Sequence, residues 1–256
     1  MKIEYAGQSD PGRVRENNED TYLVLPEYGL FAVADGMGGH NSGEVASAMA
    51  VETLSQDAVK LPSLDAKLPW WQRIFRRRHE FNPIQFLHEV VTRANAEIYK
   101  AAQSSPENKG MGTTLALTLK AGDAIVTAHV GDSRIYRLRE NKLTQLTQDH
   151  SLATELIRQG VLTPEEALYS APKNILTRAL GVREEVSEEI IYHSLESGDL
   201  ILIGSDGLTN MVEDEDIARI IARKNFSIQQ KVEDLIAAAN EAGGEDNVTV
   251  VLVKFS

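Results

Sequence analysis

Runs of apolar and β-branched residues, separated by polar turn signals, predict a protein rich in β-strands. Gly, Asp and Asn bound most of these runs, which is typical of strand ends. The polar stretch RENK at 139–142 joins two of the runs and indicates a hairpin, so much of the sheet structure is expected to be antiparallel. The predicted strands are 20–25, 29–35, 113–119, 124–132, 134–139, 142–146, 187–194, 199–206 and 247–255.

Apolar residues at helical spacing predict three longer helices. The periodicity is clearest in 227–243, where the apolar positions fall on one stripe before two glycines end the helix. A second helix follows Asn41, which can cap it, with Glu44 at the third helical position, and a third covers 84–103. Helices therefore come in pairs between runs of strands. This order predicts an α+β protein, a four-layer αββα sandwich in which helices cover the outer faces of two packed antiparallel sheets.

The length of 256 residues, 42% of them hydrophobic, favours one sizeable core and one domain over 1–256. Two segments do not fit the alternation of strands and helices. Residues 60–83 are basic, are punctuated by Pro and hold both tryptophans. Residues 151–174 hold short helical pieces without an adjoining strand. Both are expected to be additions to the sandwich.

Composition excludes several kinds of chemistry. With 26 Lys and Arg against 38 Asp and Glu, the net charge of −12 repels polyanions, so no nucleic-acid partner is expected. The absence of Cys excludes disulfides, thiolate zinc sites and a cysteine nucleophile. No apolar run approaches the roughly 20 residues that span a bilayer, and the N-terminus lacks a signal-peptide pattern. A cytoplasmic protein is expected.

Four aspartates stand where an apolar strand meets a polar turn. Asp35, Asp132 and Asp206 each end a predicted strand, and Asp246 opens one. Taken singly, each is typical of a turn former. Because strands of a compact sandwich stop near common rims, the four carboxylates can also converge in one cleft, where they repel one another unless a cation neutralises them. Oxygen ligands without Cys or a His cluster favour Mg²⁺ or Mn²⁺.

Glycine follows the aspartate at Asp35 and again at Asp206. A glycine lets the backbone pass close to an ion, and its carbonyl can become a ligand. Asp35 could then bridge two ions about 3.5–4 Å apart, the spacing at which two metals activate a shared water for in-line attack on phosphorus.

The segment GRVRENNEDTY near the N-terminus adds acids and arginines to this set. Glu19 and Asp20 precede a strand, and Arg13 and Arg15 offer guanidinium forks that match a phosphate dianion. The alternative is a solvated, charged turn.

Eight short motifs follow one another along the chain: RENNED (15–20), ADGMGGHNSGEVAS (34–47), GTT (112–114), VGDSRIY (130–136), LTQDHS (146–151), LTRALG (176–181), SDGL (205–208) and EDNVTVVLV (245–253). In this order they resemble the motifs of the metal-dependent type 2C Ser/Thr protein phosphatases, and those of the bacterial single-domain members most. The resemblance covers nearly the whole chain. It implies the αββα sandwich and the hydrolysis of phosphoserine or phosphothreonine in proteins.

The resemblance also implies roles for the acidic residues. By similarity, Asp35 bridges two Mg²⁺ or Mn²⁺ ions, the Gly36 carbonyl binds the first ion, and Asp206 and Asp246 bind the second. Glu19 matches the acid that ligates a metal or hydrogen-bonds its water, and Asp20 beside it is a further candidate ligand.

Other positions take their roles from the same resemblance. Arg15, and not Arg13, matches the arginine that clamps phosphate. Asp132 with Asp206 matches a more weakly held third metal site, and 151–174 would be the flap beside the cleft.

The proton donor departs from the family pattern. Animal members carry a histidine directly after DG as a candidate general acid, and here that position is Met37, which cannot donate a proton. His40 is the candidate that could replace it, and water on the metal is the other source. His129 and His150 are interpreted as structural, since one lies inside a strand and the other precedes Ser151, a predicted helix cap.

The segment WWQRIFRRR is not explained by the resemblance. As a helix it would place tryptophan, Ile74 and Phe75 in an apolar patch flanked by arginines, a pattern of membrane-surface and partner-binding segments. The simpler interpretation is a surface insertion that packs on a neighbouring helix. Residues 66–80 are therefore a hypothetical docking element for a partner or a membrane.

The sequence predicts a monomeric phosphoprotein phosphatase that opposes a Ser/Thr kinase. Two alternatives stay open: a dimetal hydrolase of other phosphoesters, and a catalytically weak interaction module of the same fold. The second predicts missing ligands, yet Asp35, Asp206 and Asp246 are all present.

Overall fold

A computed structural model of the chain describes residues 2–38, 42–64, 81–163, 165–167 and 175–256. All statements below on structure concern these residues. The predictions on His40, on Asn41 as a helix cap and on the docking element 66–80 lie outside them. Within the described chain, no helix combines the length and the apolar character needed to cross a membrane.

The strands form two antiparallel sheets. The first sheet has the order β1-β11-β10-β7-β8 and the second β2-β3-β5-β6-β9, with the short β4 paired to β3. The strands are β1 Ile3–Asp10, β2 Asp20–Leu25, β3 Leu30–Met37, β4 Gly112–Thr113, β5 Leu115–Ala121, β6 Ala124–Val130, β7 Arg134–Arg139, β8 Lys142–Gln145, β9 Glu189–Ser194, β10 Leu200–Gly204 and β11 Val248–Phe255.

Helices lie on the outer face of each sheet. The described helices are α1 Ser42–Ala58, α2 Pro83–Ser104, α3 Leu152–Arg158, α4 Asp206–Thr209, α5 Asp214–Ile221 and α6 Ile228–Glu241, with a 3₁₀ turn at Pro106–Asn108. α1 and α2 pack on the second sheet, and α5 and α6 pack on the first. The α+β sandwich predicted from the sequence is thus confirmed.

Three apolar clusters separate the four layers, and β11 shows why its sequence is almost continuously apolar. Val248, Val250 and Leu252 point towards α5 and α6. The alternate residues Val251 and Val253 point into the cluster between the two sheets. Successive side chains of a strand face opposite sides, so a strand buried on both faces needs apolar residues at every position.

Three local features follow from sequence signals, and two of them, the hairpin turn at 139–142 and the Ser151 cap, were predicted. Glu140 and Asn141 have φ of 51° and 62° in the turn between β7 and β8, as a type I′ hairpin requires. Ser227 and Gln230 form a capping box at the start of α6. Ser151 caps α3, the first part of the predicted flap.

Candidate active site

Strand ends bring the predicted acids to one rim of the sandwich. Asp35 lies near the end of β3, opposite Asp20 at the start of β2. Asp132 follows β6, and Asp206 and Asp246 stand beside the ends of β10 and β11. A cavity of about 220 Å³ opens there. Its lining contains seven of the predicted site residues: Arg15, Glu19, Asp35, Gly36, Asp132, Asp206 and Asp246.

Backbone hydrogen bonds fix the position of Asp35. Its N–H donates to the Thr114 hydroxyl at 3.0 Å. Its carbonyl accepts from the Thr114 N–H at 2.8 Å and from the Thr113 hydroxyl at 2.9 Å. The Thr114 hydroxyl also contacts Ser133 Oγ at 2.6 Å, which joins Asp35 to the loop that carries Asp132. The GTT motif therefore fixes the backbone of Asp35 relative to the loop that carries Asp132.

The glycines after Asp35 and Asp206 allow close contact between backbones. A Cβ at Gly36 would overlap the carbonyl oxygens of Gly43 and Glu19, and one at Gly207 would overlap the carbonyl of Asn247. Packing therefore demands glycine at both positions. The sequence analysis explained these glycines differently, by the close approach of the backbone to an ion. The role of the Gly36 carbonyl as a metal ligand stays a prediction.

Asp20, the strand partner of Asp35, is a buried carboxylate. The residue is 8% exposed, and neither side-chain oxygen makes a well-formed hydrogen bond to a described residue. Burial raises the pKa of Asp20 to about 7, an effect that the nearby Thr249 and Ser205 hydroxyls offset only in part. Such a group needs a proton or a positive partner.

Burial and mutual repulsion also raise the pKa values of three other acids. Burial raises the pKa of Asp35 well above its usual range, and the charges of Asp20 and Asp206 add to the shift. Burial and Asp206 raise the pKa of Asp132 to about 7, and burial and Asp246 raise that of Asp206.

Two groups at the edge of the cavity are closer to solvent. Burial raises the pKa of Glu19, although the guanidinium of Arg15 lowers it. Arg15 Nη2 donates to Asp246 Oδ2 at 2.8 Å, and the Arg15 side chain is 54% exposed. Asp246 raises the pKa of Arg15. Arg15 lines the cavity and Arg13 does not, as the resemblance implies.

Asn247 is a site residue that the sequence interpretation missed. Its Oδ1 accepts from the Glu19 N–H at 2.8 Å, and its Nδ2 donates to the carbonyls of Pro11 and Asn17 at 3.0 and 2.9 Å. It therefore ties the loop that carries Arg15 and Glu19 to β11. The available signal was the polar amide in EDN, between Asp246 and the apolar run that begins at Val248.

The two histidines act as structural groups. His129 Nε2 donates to the Gly131 carbonyl at 2.8 Å, and the Gly131 N–H donates to His150 Nδ1 at 3.2 Å. Burial lowers the pKa of His129 to about 4 and that of His150 to about 3. Both rings are thus neutral near pH 7. They hold the peptide directly before Asp132.

Glu189 lies beside this pair, with ligand atoms of the three side chains within 4.8 Å of one another. The contacts of His150 argue against a metal there. Its Nδ1 takes the Gly131 N–H, and its Nε2 faces the guanidinium of Arg178 at 3.3 Å. A neutral imidazole has one free lone pair, and two donors already compete for it.

The family comparison agrees with the motifs. The model of the protein phosphatase 2C family matches residues 13–251. The chain is 39% identical over 253 residues to the serine/threonine phosphatase stp of Listeria welshimeri, a match that covers 96% of this chain and 94% of the relative.

Solved structures give the same result. The serine/threonine phosphatase PstP/Ppp of Mycobacterium tuberculosis is 35% identical with a TM-score of 0.85, and 99% of each chain is covered. The catalytic domain of the serine/threonine protein phosphatase PstP, solved in complex with 2 manganese ions, is 35% identical with a TM-score of 0.82. That match covers 98% of this chain and 97% of the other.

Proposed function

The chain belongs to the protein phosphatase 2C family and is a protein serine/threonine phosphatase, and from this premise we propose that its carboxylate cavity holds two divalent cations, Mn²⁺ or Mg²⁺. The reaction is the hydrolysis of phosphoserine and phosphothreonine in proteins, with water as the nucleophile. The observation that carries the proposal is the convergence of six carboxyl groups: five line one cavity together with Arg15, and the sixth, Asp20, is buried beside Asp35 on the paired strand.

The donor set suits hard cations. Every acid of the cavity offers oxygen, and neither His nor Cys belongs to its described lining. The two unsatisfied oxygens of the buried Asp20 point to a missing positive charge or its water shell. The raised pKa values of Asp35, Asp132 and Asp206 have the same origin, because a bound cation relieves the repulsion that raises them.

The ligands are assigned by the motifs. Asp35 would contribute to holding both ions, and the Gly36 carbonyl would bind the first. Asp206 and Asp246 would bind the second, and Asp132 with Asp206 would form a weaker third site. Glu19 and Asp20 would bind metal or hold its water. The related PstP catalytic domain was solved in complex with 2 manganese ions, which supports the proposed kind and number of ions but not the individual ligands.

When bound, the ions supply a water nucleophile of lowered pKa and neutralise charge on the phosphoryl group. Arg15 binds the phosphate: one of its five N–H donors engages Asp246, and the half-exposed side chain lines the cavity, which leaves further donors for phosphate oxygens. Asn247 and Thr114 keep the acids in place during turnover. Met37 lines the cavity but has no proton to give, so His40 remains the side chain predicted to protonate the leaving group.

The test is phosphate release from a phosphothreonine peptide with Mn²⁺ and with a chelator. We expect activity only with the metal, and a loss of at least about a hundredfold in kcat for Asp35→Asn and for Asp206→Asn. Asp216→Asn is the matched control, because Asp216 is an exposed aspartate that pairs with Arg219 on α5. Activity that survives chelation, or that both cavity variants retain, would reject the mechanism. Little or no phosphate release by the wild type with Mn²⁺ would instead favour a catalytically weak interaction module.

A further inference from the structure

A second groove adjoins the catalytic cavity. It has a volume of about 430 Å³, within the range of roughly 300–1,000 Å³ that is typical of ligand sites. Met37 and Leu176 line both the groove and the cavity, so the two lie side by side. The rest of the described lining comes from the segment 177–187, between the flap and β9.

This segment has a fixed shape. Asn95 of α2 is 2% exposed, and its side chain makes three hydrogen bonds to the segment. Its Nδ2 donates to the carbonyls of Arg183 and Glu184 at 3.1 and 2.9 Å, and its Oδ1 accepts from the Gly181 N–H at 2.9 Å. A buried amide that spends its hydrogen bonds on one loop holds that loop in one conformation.

The groove is also tied to the catalytic strand. Leu180 exchanges two backbone hydrogen bonds with Thr113 of β4, at 3.1 and 2.9 Å, and β4 pairs with the end of β3 next to Asp35. Gly112 of β4 contacts two side chains of the groove: a Cβ at this position would come within 2.9 Å of both Met37 Cε and Val182 Cγ2. The absence of that Cβ lets the two side chains form one apolar floor.

The floor is apolar and the rim is charged. Val182, with 49% of its surface exposed, and the half-buried Val186 continue the surface that Met37 begins. Arg178, Arg183 and Glu185 form the rim. Within the described residues, the Arg183 guanidinium has no ion pair. An accessible cation on a chain with a net charge of −12 is a local feature that favours an acidic group.

We propose that this groove binds the stretch of phosphorylated polypeptide next to the phosphoresidue, with an apolar side chain on Val182 and Val186 and an acidic side chain beside Arg183. The inference rests on the proposed function of the adjoining cavity. A substrate chain that places its phosphoryl group in the cavity must leave along the surface, and the groove is a built path that begins at the same Met37. The enzyme would therefore prefer phosphothreonine with apolar and acidic neighbours.

The experiment compares three classes of substrate with Mn²⁺ present. These are p-nitrophenyl phosphate, phosphothreonine heptapeptides with Leu and Asp before or after the phosphoresidue, and the same peptides with Lys in place of Asp. We expect Arg183→Glu to lower kcat/KM for the Asp peptide roughly three- to tenfold and to raise it for the Lys peptide, as expected when one exposed charge pair becomes repulsive. Turnover of p-nitrophenyl phosphate should not change.

Two further variants complete the design. Val182→Trp fills the floor and should weaken both peptides without affecting p-nitrophenyl phosphate. Arg219→Glu reverses an exposed arginine on α5, outside the groove lining, and should change none of the three rates. Equal ratios of peptide to p-nitrophenyl phosphate turnover in wild type, Arg183→Glu and Val182→Trp would overturn the inference. Failure of the proposed function would appear differently, as turnover of p-nitrophenyl phosphate without metal.

Discussion

At the scale of single residues, Asp20 stands out among the described residues because neither oxygen of its buried carboxylate makes a well-formed hydrogen bond. Burial raises the pKa of this carboxylate to about 7. The sequence indicated an acid before a strand but not its burial, because the neighbours that enclose it, Ser205 and Thr249, are far away along the chain.

Asp20→Asn should therefore have opposite effects on stability and on metal binding. Without metal at about pH 7.5, the neutral amide removes a buried, repelled charge, so the free energy of unfolding should rise. With metal, the loss of this acid should weaken Mn²⁺ binding about 10- to 100-fold, as for other groups that support ligands. Urea unfolding and calorimetric titration measure the two effects. A variant that is destabilised without metal and binds Mn²⁺ normally would contradict this account.

At the scale of elements, strands were predictable where two buried faces made them continuously apolar, as in β10 and β11. β1 was missed because it is an edge strand that is mostly half-buried, and its sequence IEYAGQSD therefore lacks a strong pattern. The short helices α4 and α5 were missed too. The first spans one turn, and the second carries three acids in its first turn that resemble a loop.

The side-chain hydrogen bonds that connect the elements of the site were its least predictable part. Thr113, Thr114 and Asn247 lie at the ends of predicted strands, and their hydrogen-bond partners come from distant parts of the chain. The acids themselves could be predicted, because each carries its own local signal of a charge beside an apolar run.

The pair His129 and His150 should make the free energy of unfolding decrease as the pH falls. Burial lowers the folded-state pKa of His129 to about 4 and of His150 to about 3, below the unfolded value of about 6.5. Their contribution is therefore present above pH 6.5 and is lost as the pH falls towards 4. His150→Gln should lose less stability than wild type between about pH 7 and pH 5, measured by urea unfolding. Equal losses in both proteins would show that the pair does not titrate on unfolding.

At the scale of the whole molecule, two sheets stop at one rim and gather acids from strands that are remote in sequence. Because these acids repel one another, the free energy of unfolding of the metal-free protein should depend on pH. The raised pKa values of Asp20, Asp35, Asp132 and Asp206 mean that the folded state binds more protons than the unfolded state between about pH 4 and 7. Their contribution to stability therefore falls as the pH rises through this window.

Bound Mn²⁺ should reverse that trend, because it replaces the protons that the acids release. The increase in Tm on adding Mn²⁺ to chelated protein should be larger at about pH 7.5 than at about pH 5.5, by scanning calorimetry. The histidines titrate alike with and without metal, so this difference isolates the acids. The same increase at both values would contradict the assignment of the cluster as the cation site.

The number of Mn²⁺ ions bound to the chain tests the central claim most directly. Calorimetric titration of metal-free protein should find two tight sites that Asp35→Asn abolishes together, since Asp35 is the residue proposed to hold both ions. Asp246→Asn should weaken one of the two, and the exposed Asp216→Asn should leave both unchanged. Wild-type protein that hydrolyses phosphothreonine with no bound metal, or Asp35→Asn protein that still binds two ions, would contradict the account.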